Sequence, residues 1–324
     1  MDESDRTYSE VVSMGELLID FIAAETCDDL AEADTFLRKP GGAPANVACG
    51  LARLGRRAAF VGMVGDDAFG RYLKSVLDAE GVDTRSLAFT HDQPTTLAFV
   101  ALNAQGVPTF SFCRHPGADL SLKASDIDPT VFDGARVLHF GSLSLVLKPA
   151  YDATRHCLQT AKERRMFVSY DPNYRPALWR NARSAREIML EPLPFVDLLK
   201  VSDDELKLLS GESDIEAGCA AIAQRGPKSI VVTRGGEGMR GWNDGVIIDA
   251  PGIPVEVVDT TGCGDASMAG IIAWLLEAGL PLSKDFRIPN DTFEAALAFA
   301  NQCAAHAATT HGAIPSLPYR RDVG

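Results

Sequence analysis

The residues with the clearest chemical signature are Asp259-Thr260-Thr261-Gly262-Cys263-Gly264-Asp265, which join a strand-like run at 254–258 to a helix-like run at 266–278. This order predicts a glycine-flanked turn at a helix N-terminus. Gly262 and Gly264 permit positive φ and leave no Cβ to block close approach, so successive N–H groups can converge on an anion. Asp265 follows at once, where it can take a proton from a hydroxyl while the cradle holds the negative charge that develops opposite. Phosphoryl transfer needs that arrangement; the alternative is an ordinary strand-to-helix turn with Asp265 as N-cap.

Familiar nucleotide signatures do not account for the cradle. There is no G-x-x-x-x-G-K-[ST]. Gly236, Gly238 and Gly241 spell G-x-G-x-x-G, but residues 242–248 read as loop and strand, whereas a dinucleotide fingerprint opens a helix. Neither an H-R-D loop nor a D-F-G triplet accompanies those glycines, which excludes a protein-kinase loop.

The elements that must position the cradle read as α/β. Strand-like runs at 11–14, 58–61, 137–140, 166–169, 198–201 and 229–233 alternate with helix-like ones, which predicts a largely parallel sheet. Ligands of such sheets bind beyond the carboxyl ends of the strands, where Asp171, Asn173, Ser202 and Asp265 fall. Two β-rich runs, 95–103 and 108–113, joined by Ala104-Gln105-Gly106-Val107, predict a hairpin with no helix after it. Such a hairpin can cover a site, with another strand of the cover supplied by 17–22. Asp20, inside that run, either binds a ligand or faces solvent from an edge strand. Gly41-Gly42-Ala43-Pro44-Ala45-Asn46 opens a helix whose Val47, Leu51 and Leu54 share a face and which Gly55 ends. Its start either receives a polyol, with Asn46 donating and accepting, or is a plain cap.

At 324 residues, 46% hydrophobic and 23% charged, the chain can bury a full core as one large domain. A net charge of −13 argues against a nucleic-acid surface. No apolar run approaches the roughly 20 residues of a membrane span, and the acidic start is no signal peptide, so a cytosolic location is expected. Seven cysteines without C-x-x-C, and six scattered histidines, predict neither a disulfide framework nor a zinc site.

Two motifs together resemble the PfkB, or ribokinase-like, carbohydrate kinases along nearly the whole chain. The first runs from Gly41-Gly42-Ala43-Pro44-Ala45-Asn46 through Leu51-Ala52-Arg53-Leu54-Gly55 to Val61-Gly62-Met63-Val64-Gly65-Asp66; the second is Asp259 to Asp265. Within the family, Thr96-Leu97-Ala98-Phe99-Val100, Phe112-Cys113-Arg114-His115-Pro116-Gly117-Ala118-Asp119 and Asp171-Pro172-Asn173-Tyr174-Arg175 are most similar to fructokinases. Aminoimidazole riboside kinases share most of the pattern; ribokinases and 2-keto-3-deoxygluconate kinases are more distant.

The resemblance implies a single ribokinase-like three-layer α/β/α sandwich with a mostly parallel central sheet and a small β lid from about 17–42 and 95–115. It implies Asp265 as base, with Gly262, Cys263 and Gly264 as the anion hole. Asp20, Gly41, Gly42, Asn46, Arg114 and Arg175 would bind the substrate. Lys200, Glu205, Thr233, Gly235, Gly238 and Asn301 would bind ATP, Asn301 near the adenine. Glu205 would act on magnesium through water, and Asp259, Thr261, Gly312 and Ser316 would hold a potassium ion that activates the enzyme. The expected partners are a sugar, ATP and a second copy of the chain as a homodimer. Ser202 stands where the family motif has asparagine, Cys263 where alanine is usual and Gly117 where serine is common. A silent sugar- or nucleotide-binding regulator is the alternative of a different class, although this chain keeps Asp265 and both glycines.

Overall fold

The computed structural model describes residues 8–103, 108–114 and 116–324. In chain order the strands are β1 (Val11–Met14), β2 (Leu18–Ala23), β3 (Phe36–Gly41), β4 (Ala58–Gly65), β5 (Asp83–Thr90), β6 (Leu97–Leu102), β7 (Pro108–Cys113), β8 (Val137–Gly141), β9 (Phe167–Asp171), β10 (Leu198–Ser202), β11 (Ser229–Thr233), β12 (Gly238–Asn243) and β13 (Val246–Pro251). The helices are α1 (Ala43–Arg53), α2 (Ala68–Ala79), α3 (Ala150–Glu163), α4 (Ala182–Leu190), α5 (Asp203–Ser210), α6 (Ile215–Ala223), α7 (Cys263–Glu277), α8 (Asn290–Ala307) and α9 (Ala313–Ser316).

Nine strands form one sheet in the order β13-β12-β11-β10-β9-β8-β1-β4-β5. Pairing is parallel from β11 to β5, and β12 and β13 extend that edge as an antiparallel hairpin. The parallel strands are buried on both faces because apolar side chains fill both parities of the pleat. Val11, Phe60, Val137, Phe167 and Leu198 pack toward α1, α7 and α8. Val12, Leu138, Val168, Leu199 and Val232 pack on the opposite face with α3, α4 and α6. This is the expected three-layer ribokinase-like sandwich. Strand order runs outward in both directions from the β1/β8 boundary, so the crevice beyond the strand ends lies where an open α/β sheet binds ligands.

A second sheet, ordered β3-β2-β6-β7, crosses that crevice. β2 pairs antiparallel with β3 and parallel with β6, while β6 and β7 are antiparallel. Its outer face packs Phe21 on Phe99, ring centres 5.2 Å apart, with Phe69 of α2 edge-on to Phe21. β2 is therefore an interior strand, which removes the solvent-edge reading of Asp20. The 104–107 turn and His115 lie outside the described residues.

Four elements differ from expectation. Residues 254–258 form no strand: β13 stops at Pro251, after which Gly252 and Pro254 interrupt the ladder. The helix after the cradle starts at Cys263, because an N-terminal turn needs only free N–H groups and not apolar periodicity. The sequence pattern also passed over β3, which carries the charged Arg38 and Lys39, and β5, whose Asp83, Thr84 and Arg85 hide its alternation.

Candidate active site

The cradle is built by conformation rather than by side chains. Gly262, the N-cap of α7, has φ +84°, and a Cβ there would meet Ala313 Cα at 2.9 Å. Any other residue would be strained by both backbone and contact. The N–H groups of Gly262, Gly264 and Asp265 have no acceptor among the described residues, whereas the Cys263 N–H donates to the Thr260 carbonyl at 3.2 Å. The N–H groups left open at this turn are thus those of Gly262, Gly264 and Asp265, while the Cys263 N–H expected to join them donates within the turn. α7 is buried along most of its length between α1 and α8, so the cradle has a rigid base.

Asp265 is only 8% exposed and accepts from Asn46 Nδ2 at 2.7 Å. Burial lifts its pKa from 3.8 to about 6; the Asn46 bond opposes this, Asp171 adds to it, and Lys200 and Arg175 oppose it. A carboxylate tuned to that range is ionised near neutrality yet basic enough to receive a proton. Asn46 projects from the first turn of α1, and its Oδ1 is buried without a donor among the described residues.

Around these groups lies a cavity of about 440 Å³. Its floor includes Gly42, Asn46, Asp171, Arg175, Lys200, Gly262, Gly264 and Asp265; its roof is Leu18, Asp20, Ile22, Val100, Phe110 and Phe112 of the smaller sheet. Asp20 has its pKa raised to about 7 by burial, against the pull of Arg175 and with the push of Asp265 and Asp259. A Cβ on Gly41 would overlap Asp20 Oδ2, so that glycine makes the room the carboxylate occupies. Gly42, with φ +109°, turns the chain from the lid into α1. Arg175 reaches under the lid, 5.7 Å from the centre of the Phe110 ring.

A second, adjoining hollow is lined by Asp171, Asn173, Arg175, Lys200, Ser202, Glu205 and Thr233. Lys200 bridges the two. Its Nζ is 2.7 Å from Asp171 Oδ2 and would be 3.3 Å from a Cβ on Gly264, which sets an ammonium beside the cradle. Burial works against that charge, but Asp171 and Glu205 outweigh it and hold the lysine pKa above its ordinary value. Glu205 is raised by burial and by Asp171 while Lys200 pulls it back. Its two oxygens already accept from the Tyr174 N–H at 2.6 Å and the Ser202 N–H at 2.8 Å. Ser202 Oγ in turn accepts from the Glu205 N–H, closing a capping box on α5 that serine serves as well as the motif's asparagine would. Among the described residues no group of three or more His, Cys, Asp or Glu side chains is placed to hold a metal ion.

Asp259 is buried and joins two loops: Oδ1 accepts from Thr261 N–H and Oδ2 from Gly312 N–H, each at 2.8 Å. Burial alone would raise its pKa, but these bonds outweigh it and hold the carboxyl below its ordinary value. Asp259 thereby sets a fixed negative charge between the loop that leads into α7 and the loop that leads into α9. Ser316 is the last residue of α9, the helix that follows Gly312, and its Oγ donates to the Ala313 carbonyl at 2.9 Å.

Four expected residues lie elsewhere. Arg114 is 3% exposed and bound to Asp119 and the Leu143 carbonyl, so its charge holds the lid base together and lines neither hollow. Asn301 Nδ2 donates to the Ala250 and Pro251 carbonyls at 2.9 and 3.1 Å, tying α8 to the end of β13. Gly235 and Gly238 shape the β11–β12 turn with φ of +54° and +91° and line neither hollow. The sequence reading overlooked Glu16, a carboxylate in the apolar stretch Met14-Gly15-Glu16-Leu17-Leu18, which lines the larger cavity.

The description "pfkB family carbohydrate kinase" fits residues 9–320. Fructokinase-1 of Oryza sativa subsp. japonica is 40% identical over 97% of this chain and 96% of its own length. A double mutant of the fructokinase from Vibrio cholerae O395, crystallised in its fructose-, ADP- and potassium-bound form, superposes with a TM-score of 0.84 at 33% identity over 97% of each chain. The aminoimidazole riboside kinase of Salmonella enterica, complexed with aminoimidazole riboside and an ATP analogue, gives 0.81 at 29% identity over 96% of this chain and 97% of that one. With its two signature motifs folded against one cavity, the chain belongs to the pfkB family of carbohydrate kinases.

Proposed function

We propose that the chain transfers the terminal phosphoryl group of ATP to the primary 6-hydroxyl of fructose. The observation that carries this reading is Asp265, buried, held by Asn46 and itself bearing one of the open N–H groups of the cradle, with Lys200 beside Gly264. The sugar binds between lid and floor, its hydroxyls reaching Asp20, Asn46 and Arg175. Asp265 takes the proton of the attacked hydroxyl as the sugar oxygen bonds to phosphorus and the bond to the ADP oxygen breaks. The N–H groups of Gly264 and Asp265 and the Lys200 ammonium face the charge that spreads over the transferred oxygens. Bound magnesium would supply further neutralisation of phosphate charge, with Glu205 and Asp171 beside it. Potassium would be held by the loop pair around Asp259, fixing the cradle from behind.

Fructose is supported by the names of the relatives and by the character of the cavity. Carboxyl groups of Glu16, Asp20, Asp171, Asp259 and Asp265 outnumber the cations Arg175 and Lys200. That balance suits a neutral polyol better than an acidic sugar such as 2-keto-3-deoxygluconate. One feature favours a second substrate: Phe110 and Phe112 put two aromatic rings in the roof, where a heterocycle such as that of aminoimidazole riboside could pack. ADP release with each sugar in turn decides between them; fructose turning over at least tenfold more efficiently is the expected result.

A further inference from the structure

Glu16 sits in the three-residue passage between β1 of the core sheet and β2 of the lid. It is 3% exposed and belongs to the cavity wall, among Leu18, Asp20, Ala43, Asn46 and Leu143. Its Oε1 accepts from the Ala43 N–H at 3.0 Å, capping α1, whose own N-cap, Gly42, has no side chain to offer. Its Oε2 is buried and has no donor among the described residues. The cation whose charge acts on it, Arg114, is already committed to Asp119 and the Leu143 carbonyl. A buried acceptor left without a donor is unfavourable, and the penalty is larger for a carboxylate. Burial answers part of this by lifting the Glu16 pKa to about 7, against the pull of Arg114 and with the push of Asp119. A neutral ligand rich in hydroxyl donors answers the rest.

We propose that Glu16 is a sugar-binding residue whose free carboxylate oxygen accepts a hydrogen bond from one substrate hydroxyl, where lid strand β2 meets the N-terminus of α1. This rests on the fructose reading above. One carboxylate then contacts both the sugar and the first turn of α1, the turn whose Asn46 holds Asp265. Sugar occupancy and alignment of the base are thereby linked through a single side chain. The chain also gains a means of reading a particular hydroxyl, since a site built to accept from an OH rejects an analogue that lacks it.

The test uses fructose and its monodeoxy analogues at saturating MgATP, with the intact chain and its Glu16→Gln variant. The amide keeps a carbonyl that can cap Ala43 while replacing the acceptor offered to the sugar. For the natural chain, kcat/KM should fall at least tenfold more for one deoxy analogue than for the others. In Glu16→Gln that difference should shrink to about twofold, the KM for fructose should rise tenfold or more, and the KM for MgATP should hold within about twofold. If Glu16→Gln does not fold, Glu16→Asp, which keeps the charge on a shorter arm, should weaken discrimination of the same analogue. A variant that discriminates every analogue as the natural chain does, or loses the same factor toward all of them, overturns the proposal and leaves Glu16 a cap alone. A natural chain that ignores fructose but phosphorylates another sugar overturns the fructose reading instead.

Discussion

Replacing Asp265 by Asn should make the unliganded protein more stable while removing most of its activity. The carboxyl pKa rises from 3.8 to about 6 in the fold, chiefly because of burial. A raised carboxylate pKa means that the folded state holds the proton more tightly than the unfolded chain. Its stabilising contribution is therefore complete below about pH 4 and lost as pH rises through about 6. At roughly 1.4 kcal/mol per pH unit between the two values, keeping this group ionised at pH 7 costs about 3 kcal/mol. Asparagine carries no charge to bury, and its carbonyl can still accept from Asn46 Nδ2. Urea unfolding without ligands should thus find Asp265→Asn more stable than the natural chain by about 1–3 kcal/mol at pH 7, with the gain vanishing near pH 4. In the same preparations kcat should fall by roughly 10²–10⁴ while MgATP still binds. A variant less stable than the natural chain at pH 7 would refute the buried-charge argument, and one keeping more than about a tenth of kcat would refute the role of base.

Other consequences follow from the same contacts. Asn46→Ala removes the bond that holds the Asp265 pKa down, so the acid limb of the kcat profile should move up from about pH 6; a limb that stays or moves down contradicts the coupling. Lys200→Met leaves Asp171 buried without its partner and should cost about 3–5 kcal/mol of stability. Adding Asp171→Asn should restore the melting temperature but not turnover, and recovery of both would mean that Lys200 serves only the fold. Gly262→Ala should lower kcat by about 10² or more, since a Cβ meets Ala313 and φ is +84°; near-normal turnover would show that the cradle tolerates another shape. Burial, then Asp259 and Asp265, push the Cys263 thiol up to about 11, so it is almost entirely protonated at neutral pH. Cys263→Ala should keep kcat within about twofold and leave alkylation by iodoacetamide no slower; protection by the substitution would show that this thiol is the reactive one.

Where a position is fixed by local chemistry, the sequence announced it. The cradle, the glycine pair before α1 and the strand ends bearing Asp171 and Ser202 are short segments whose residue types serve one geometry. What stayed hidden depends on tertiary partners. Arg114 looked like a free lid cation, but only the fold brings Asp119 against it. Asn301 looked like a ligand contact, but its amide meets the carbonyls of a strand 50 residues earlier. Glu16 drew no notice because one carboxylate in an apolar run reads as a strand end. Its meaning arises when α1, 27 residues later, presents an uncapped N-terminus to it. Residues 254–258 have strand composition without a neighbour to pair with, so Val257 and Val258 became cavity wall instead.

The central claim is that this cavity passes the terminal phosphoryl group of ATP to a sugar hydroxyl with Asp265 as base. It is tested most directly by incubating the purified chain with fructose, MgATP and potassium, then following ADP release and identifying the product by phosphorus and carbon NMR. The account predicts one equivalent of ADP for each fructose 6-phosphate formed, and the loss of both signals in Asp265→Asn. ADP release that does not depend on sugar, or sugar phosphorylation that persists unchanged in Asp265→Asn, would contradict it.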